Sequence, residues 1–186
     1  MSDGLLSPAD RAALLGIARA AVRHHLGLGP APGQPGSGPL CVARGAFVTL
    51  RLDADLRGCI GSFQAHGTLA RTVADMAVSA AAEDPRFPPV RAAEVDDLLY
   101  RISVLEPCRP MRGAAEIEIG RHGLLVRKGW QRGALLPVVA VEHGWDATTF
   151  LERACLKAGL PPGAWRDADA VVEIFGAEEF GDGEAD

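Results

Sequence analysis

The sequence predicts an α+β protein with a mostly antiparallel sheet and flanking helices. Three observations carry this class. Apolar residues recur at helical spacing in three separated segments, strict apolar/polar alternation marks several short segments between them, and the order strand, strand, helix, strand occurs twice. The second occurrence points to an internal duplication, with two lobes of one domain at about 5–112 and 113–180, although no residue-level identity between the halves is evident. A chain of 186 residues, 48% hydrophobic and 23% charged, is long enough and apolar enough to bury a core.

Ser7-Pro8-Ala9-Asp10 opens the first helix with a hydroxyl cap, a proline at the first helical position and an acid at the positive end of the dipole. Leu14, Leu15, Ala18, Ala21 and Val22 form its apolar stripe, and it stops near Gly27, with His24-His25 complementing the dipole. Five Gly and four Pro between Gly27 and Pro39 make that segment an exposed, flexible connector. Phe47 to Leu52 alternates as a strand, Asp53-Ala54-Asp55 turns, and Gly58 to Phe63 pairs back. Thr68 caps a helix with Leu69, Val73, Met76, Ala77 and Ala80 on one face, which Asp84-Pro85 ends. Tyr100 to Leu105 is a third strand.

In the second half the same reading places strands at Glu116 to Ile119, Leu124 to Arg127, and Ala134 towards Val141. Asp146 caps a helix through Ala158, closed by Gly159 and Pro161-Pro162, and Val171 to Phe175 is the last strand. Residues 181–186 read as a frayed acidic tail.

Several function classes are excluded on composition. A formal charge of −5 with scattered Lys and Arg argues against duplex nucleic acid. The N-terminal Met1-Ser2-Asp3-Gly4 begins no signal peptide and no apolar run reaches membrane length, so a cytoplasmic protein with no membrane association is expected. Cysteines 41, 59, 108 and 155 form no C-x-x-C pair and read as free thiols. No metal and no cofactor is expected, because neither histidine-pair metal spacing nor a phosphate-, dinucleotide- or serine-hydrolase motif occurs.

The most unusual local text is Leu56-Arg57-Gly58-Cys59-Ile60-Gly61. Glycines at 58 and 61 let a ligand approach the backbone, and the Arg57 cation favours a thiolate at Cys59. The alternative is that Gly58 and Gly61 mark a strand entry and a bulge, with Cys59 a small buried hydrophobe. Asp84-Pro85-Arg86-Phe87-Pro88-Pro89 is a stiff elbow presenting Arg86 to an anion near Cys59, or else Asp84 caps or ion-pairs locally and Phe87 pins the elbow to the core. A third group comprises Arg121-His122, Trp130 and His143. Here His122 or His143 supplies a general base for Cys59 if the lobes fold together, while the plainer reading makes both solvated turn histidines, Asp146 a helix cap and Trp145 a core anchor.

These residues, with Ile117 to Leu124, Leu135-Leu136-Pro137, Gly144-Trp145-Asp146 and Lys157-Ala158-Gly159-Leu160, resemble the AMMECR domain, also called AmmeMemoRadiSam system protein A. The resemblance runs from about Leu5 to Phe180. It implies a barrel-like antiparallel sheet with internal duplication, Arg57, Gly58, Cys59 and Gly61 as the candidate site, and pathway partnership with a Memo-like protein and a radical S-adenosylmethionine enzyme. After Leu135-Leu136-Pro137 the family commonly carries Gln or Glu, where this chain has Val138.

Three functional expectations follow. One is a binding or accessory protein that takes a small anionic ligand or docks partners through Arg57, Arg86, Arg121 and Trp130. Another is an enzyme using Cys59 as nucleophile or redox thiol, and the third is a scaffold joined through an edge strand. The first is favoured, because family membership implies partnership more directly than chemistry.

Overall fold

The computed structural model describes residues 6–182, so the Met1-Ser2-Asp3-Gly4 segment and positions 183–186 of the predicted tail lie outside the described residues. The chain has the predicted α+β class, with every strand pairing antiparallel and helices packed alongside. It divides into two compact units, residues 1–105 with 178–186, and residues 106–177.

The first unit begins with α1 (Pro8–His25), where Ser7 and Asp10 form a reciprocal capping box. After the connector, which holds only a short 3-10 turn at Pro39–Cys41, come β1 (Ala46–Leu52) and β2 (Asp55–Ser62). These form a hairpin around Asp53, whose φ of 53° puts the turn in the left-handed region. The strand β2 therefore starts three residues before the predicted Gly58. Helix α2 (Leu69–Ala82) follows, capped by Thr68, and then β3 (Leu98–Leu105). The order is β2-β1-β3.

Alternation decides the core. Val48 and Leu50 on β1, Tyr100 and Ile102 on β3, Leu69, Val73, Ala77 and Ala80 on α2, and Leu14, Ala18 and Val22 on α1 are buried in one cluster. Each fully buried Val or Leu there stabilises the unit by about 1.5–3 kcal/mol, so a charge at Val73 is expected to unfold it. Phe47, Thr49 and Arg51 turn to the opposite face of the sheet.

The second unit contains β4 (Arg109–Pro110), β5 (His122–Lys128), β6 (Gln131–Leu135), α3 (Pro137–Glu142) and α4 (Ala147–Lys157), together with most of β7 (Ala170–Gly181). Its strand order β6-β5-β7 repeats that of the first unit. Leu124, Val126, Phe150, Leu151, Ala154 and Ile174 form its core. Asp146 caps α4 as expected, accepting from the Thr149 N–H at 2.7 Å, and Trp145 packs against the core.

One predicted strand is overturned and another is cut short. Glu116 to Ile119 is instead a 3-10 turn at Ala114–Glu116 followed by a reverse turn, with Arg121 N–H bonded to Glu118 carbonyl. The strand expected from Ala134 towards Val141 ends at Leu135, because Pro137 supplies no ladder N–H and stands at the first position of α3. The last strand is longer than predicted, running to Gly181. No helix among the described residues is long and apolar enough to cross a membrane.

Candidate functional site

The candidate cysteine sits on the edge strand of the first unit. Leu50 pairs with Gly58 and Arg51 pairs with Leu56, so Arg57 is an extra residue opposite nothing on β1, a β-bulge. Gly58 and Gly61 do not have positive φ. Their service is space: a methyl group at residue 58 would lie 2.1 Å from the Ala80 carbonyl oxygen of α2, and one at residue 61 would lie 2.1 Å from the Phe47 ring. The expected ligand approach to these glycines is replaced by a helix on one face and an aromatic side chain on the other.

Cys59 is half-buried and lies opposite Thr49, whose Oγ1 donates to its sulfur at 3.2 Å. That contact fixes the thiol on the face away from α2, since Thr49 alternates with core-facing Val48 and Leu50. The Cys59 N–H and carbonyl point outward along the sheet edge, where the elbow after α2 meets both. Asp84 Oδ2 accepts from the Cys59 N–H at 2.8 Å, and Arg86 Nη2 donates to the Cys59 carbonyl at 3.3 Å. Two side chains thus complete the hydrogen bonding that a neighbouring strand would otherwise provide.

Asp84 is 5% exposed and forms a forked pair with Arg86, with Nη2 to Oδ2 at 2.7 Å and Nε to Oδ1 at 2.9 Å, while the Arg86 N–H also donates to Oδ1. The Arg86 guanidinium holds the Asp84 carboxyl well below the usual carboxylate range against the opposing effect of burial, with the Cys59 N–H adding to it. Reciprocally, Arg86 is pushed up by Asp84 first and also by the Cys59 sulfur. The arginine hydrogen-bonded to the Cys59 backbone is therefore Arg86.

Arg57, expected to stabilise the thiolate, has other partners. Its Nε donates to Glu94 Oε1 at 2.9 Å, Nη2 to Glu94 Oε2 and the Pro89 carbonyl, and Nη1 to the Pro88 carbonyl at 2.8 Å. Glu94 also accepts from the Arg91 N–H at 2.8 Å. The Arg57 hydrogen bond, then that of Arg91, lowers its pKa to about 2. Beside this cluster is a groove of about 340 Å³ lined by Arg57, Phe87, Pro88, Pro89, Arg91 and Glu94. Phe87 is half-buried, with the Arg86 guanidinium 5.4 Å from its ring centre.

The remaining predicted site residues belong to the second unit. His122 is buried rather than solvated, and its Nδ1 accepts from the Glu118 N–H at 3.1 Å, which places the proton of the neutral ring on Nε2. His143 is exposed, bonds the Val139 carbonyl through Nδ1 at 3.0 Å and stacks on Trp145 with ring centres 4.5 Å apart. Arg121 is exposed and paired with Glu118 at 3.1 Å, and Trp130 stands 90% exposed at the tip of the β5–β6 hairpin. Val138 lies half-buried in α3. Among the described residues no group of three or more His, Cys, Asp or Glu side chains is placed to hold a metal ion.

Thr49 and Glu94 are absent from the sequence-based candidates. Glu94 accepts from the Arg91 N–H, which is half of a helix-start box, but Arg91 has no side-chain acceptor for the other half, so the sequence carries no capping signal there. Thr49 is visible only as a polar residue on the non-core phase of β1.

The family model described as AMMECR1 matches residues 15–180. A protein of Methanopyrus kandleri is 43% identical over 177 residues, covering 90% of this chain and 86% of its own. One of Methanothermobacter thermautotrophicus is 42% identical over 183 residues, covering 94% and 95%. Among solved structures, the crystal structure of an uncharacterized protein from Pyrococcus horikoshii superposes with a TM-score of 0.82 at 40% identity, over 91% of this chain and 90% of that one.

Proposed function

The chain belongs to the AMMECR1 family, and from that premise we propose that it is an accessory binding protein. It takes a small anionic ligand beside Arg57 and works with a Memo-like protein and a radical S-adenosylmethionine enzyme. The observation that carries this reading is the groove of about 340 Å³ beside Arg57, within the size range of small-ligand sites. It contains two guanidinium groups and one carboxylate, and both Glu94 oxygens are already engaged. The open hydrogen-bonding capacity is on the Arg91 side chain, which is 84% exposed. Phe87, Pro88 and Pro89 offer an apolar wall. A carboxylate or phosphate on a compact apolar body matches this arrangement.

The test is co-elution of the purified protein with the Memo-like and radical S-adenosylmethionine proteins of its own organism, for the wild type and for Arg91→Glu, together with calorimetric titration of benzoate. Complex formation and saturable benzoate binding, both weakened by Arg91→Glu, are the expected results. Separate elution together with no benzoate heat would overturn the reading.

A second reading, thiol chemistry at Cys59, is favoured by one arrangement. The cysteine backbone is held on both sides by Asp84 and Arg86, whose cation is hydrogen-bonded to its carbonyl, and its sulfur receives the Thr49 hydroxyl. Alkylation rate against pH, with Cys59→Ser as control and the modified peptide identified by mass, decides it. Fast native-state labelling with a midpoint below that of a free thiol supports a reactive thiol. Labelling only after unfolding sinks it.

A further inference from the structure

A larger groove lies elsewhere in the first unit, on the side of α2 that faces the end of α1 and the Gly/Pro connector. Its volume is about 660 Å³, and it is lined by Ala21, His24 and His25 of α1, Ala31, Pro32 and Gln34 of the connector, and Arg71, Ala74, Asp75 and Val78 of α2. The floor is apolar because small residues at 74 and 78 on α2 and at 21 on α1 leave the room that larger side chains would fill. Such a cavity, with an apolar floor and a few polar groups on the rim, fits a small organic molecule.

The rim's hydrogen-bonding balance names the ligand. The one carboxylate, Asp75, has both oxygens occupied by Arg71 Nε, at 2.8 and 2.9 Å. Because Nε alone makes that pair, both terminal nitrogens of Arg71 are left without a hydrogen bond to the described residues, on a side chain that is 62% exposed. They form the flat two-nitrogen edge that matches a carboxylate or phosphate. Asp75 orients this edge and balances its single charge, so the pair offers an anion directional N–H donors rather than a net positive charge. His24 bonds the Gly29 carbonyl through Nδ1 at 3.0 Å; since a carbonyl only accepts, Nδ1 carries the proton of the neutral ring, and Nε2 is an acceptor for a hydroxyl or N–H of a ligand. Gln34, which is exposed, adds an amide that donates or accepts, and His25 adds a ring with one nitrogen of each kind. The N–H groups on the two terminal nitrogens of Arg71 are the directional donors left open on the rim, and an oxyanion satisfies them better than a cation or an apolar molecule does.

We propose that this groove between α1, α2 and the connector is a binding site for a small organic oxyanion, a carboxylate or phosphate ester on a compact apolar body. Arg71 holds the anionic group, and the body rests on Ala21, Ala74, Val78 and Pro32. The connector is then a wall of a site as well as a link between two elements. This inference is independent of the groove beside Arg57.

Residue-resolved amide NMR of the full chain tests it, with phenyl phosphate and benzoate as probes and benzyl alcohol as the neutral control. The expected result is saturable shifts at Ala21, Ala31, Gln34, Ala74 and Val78 with both anions and none with the alcohol. Shifts at Arg91 and Glu94 report the other groove separately. Arg71→Gln weakens binding about tenfold or more, the loss expected for a charge-assisted fork, while Arg71→Lys retains the charge and recovers only part of it. Thermal melts of both variants establish that they are folded, and the Lys variant reads the site if the Gln variant is not. No saturable shift at these residues up to about 10 mM, equal response to the alcohol, or unchanged affinity in a folded Arg71→Gln protein would overturn the proposal.

Discussion

The edge hairpins of the two units share a plan and differ in chemistry. In the first, Arg57-Gly58-Cys59-Ile60 lies on β2; in the second, Arg132-Gly133-Ala134-Leu135 lies on β6, and each strand pairs with the central strand of its unit. Gly58 makes room for the Ala80 carbonyl on α2, and Gly133 does the same for Ala158 at the end of α4, where a methyl group would lie 2.3 Å from the backbone nitrogen. The difference begins at the next residue, Cys59 against Ala134. It continues past the helix, where Gly159 with φ of 75° ends α4 and accepts from Gln131 Nε2, but Asp84-Pro85-Arg86 reaches back to grip the strand. The glycine belongs to the shared architecture. At the corresponding positions the second unit has Ala134 in place of Cys59 and Gly159 in place of the Asp84-Arg86 fork, so the comparison separates residues that serve packing in both units from those that define the candidate site in one.

The largest test of that separation is Gly58→Ala beside Gly133→Ala. Each is expected to cost about 3 kcal/mol or more, because backbone rather than a pliable side chain occupies the space. Melting temperatures falling by about 6–12 °C in both would confirm the shared role, and a tolerated Gly133→Ala would break the parallel.

Asp84→Asn comes next, at about 2–3 kcal/mol at neutral pH, since it leaves the Cys59 edge and Arg86 imperfectly paired. Its acid limb sharpens the claim. The folded-state pKa values of Asp84 and Glu94 both lie below their ordinary values of 3.8 and 4.5. Their contribution is therefore fully present above those values and is lost as pH falls, for Glu94 between 4.5 and about 2. Denaturant melts across this range should show a flatter acid limb in Asp84→Asn and in Glu94→Gln. Limbs parallel to wild type would remove the carboxylates from the account.

Smaller again is Arg57→Gln, expected to cost about 1–2 kcal/mol through the lost Glu94 pair and the Pro88 and Pro89 carbonyl contacts. Smallest is Thr49→Val, at about 0.5–1 kcal/mol for one hydroxyl–sulfur bond. Its sharper readout is Cys59 alkylation rate at fixed pH, where an unchanged rate would deny the hydroxyl any hold on the thiol. In the same experiment Cys155, with no exposed surface, should label only on unfolding.

Where local chemistry dominates, the sequence was enough: Ser7, Thr68 and Asp146 cap the helices they were expected to cap, and the alternation of Phe47 to Leu52 put the right face in the core. Pro137 holds the first position of α3 as Pro8 does of α1, but Leu136 offers no side-chain cap where Ser7 does, so the helix start at Pro137 is unmarked. The apolar run Val138 to Val141 fits a buried strand or a short helix equally well. The motifs around Cys59 and Asp84 stand out in the sequence, as does the stiff elbow that brings Arg86 near Cys59, but not the bonds that join them. Partners separated by 25 and 27 positions leave no periodic trace, so the grip of Asp84 and Arg86 on the Cys59 backbone is legible only in the fold, and the nearer arginine in sequence, Arg57, reads as the one beside the thiol. The parallel between Gly58 and Gly133 is hidden for a similar reason. One glycine is too little to notice until pairing registers put it in corresponding places, opposite Leu50 and opposite Val126.

The first unit is not contiguous in the chain. Arg11 and Arg19 pair with Glu178 and Asp182, and the Tyr100 N–H and carbonyl bond Asp182, so residues 178–182 complete a body begun at α1. During synthesis the second unit has all its strands before the first does. A chain not yet extended to residue 178 carries β3 with its outer edge bare until residues 178–182 follow. A cut after Ala177 should thus leave the second unit's sequence whole and take the closing strand from the first.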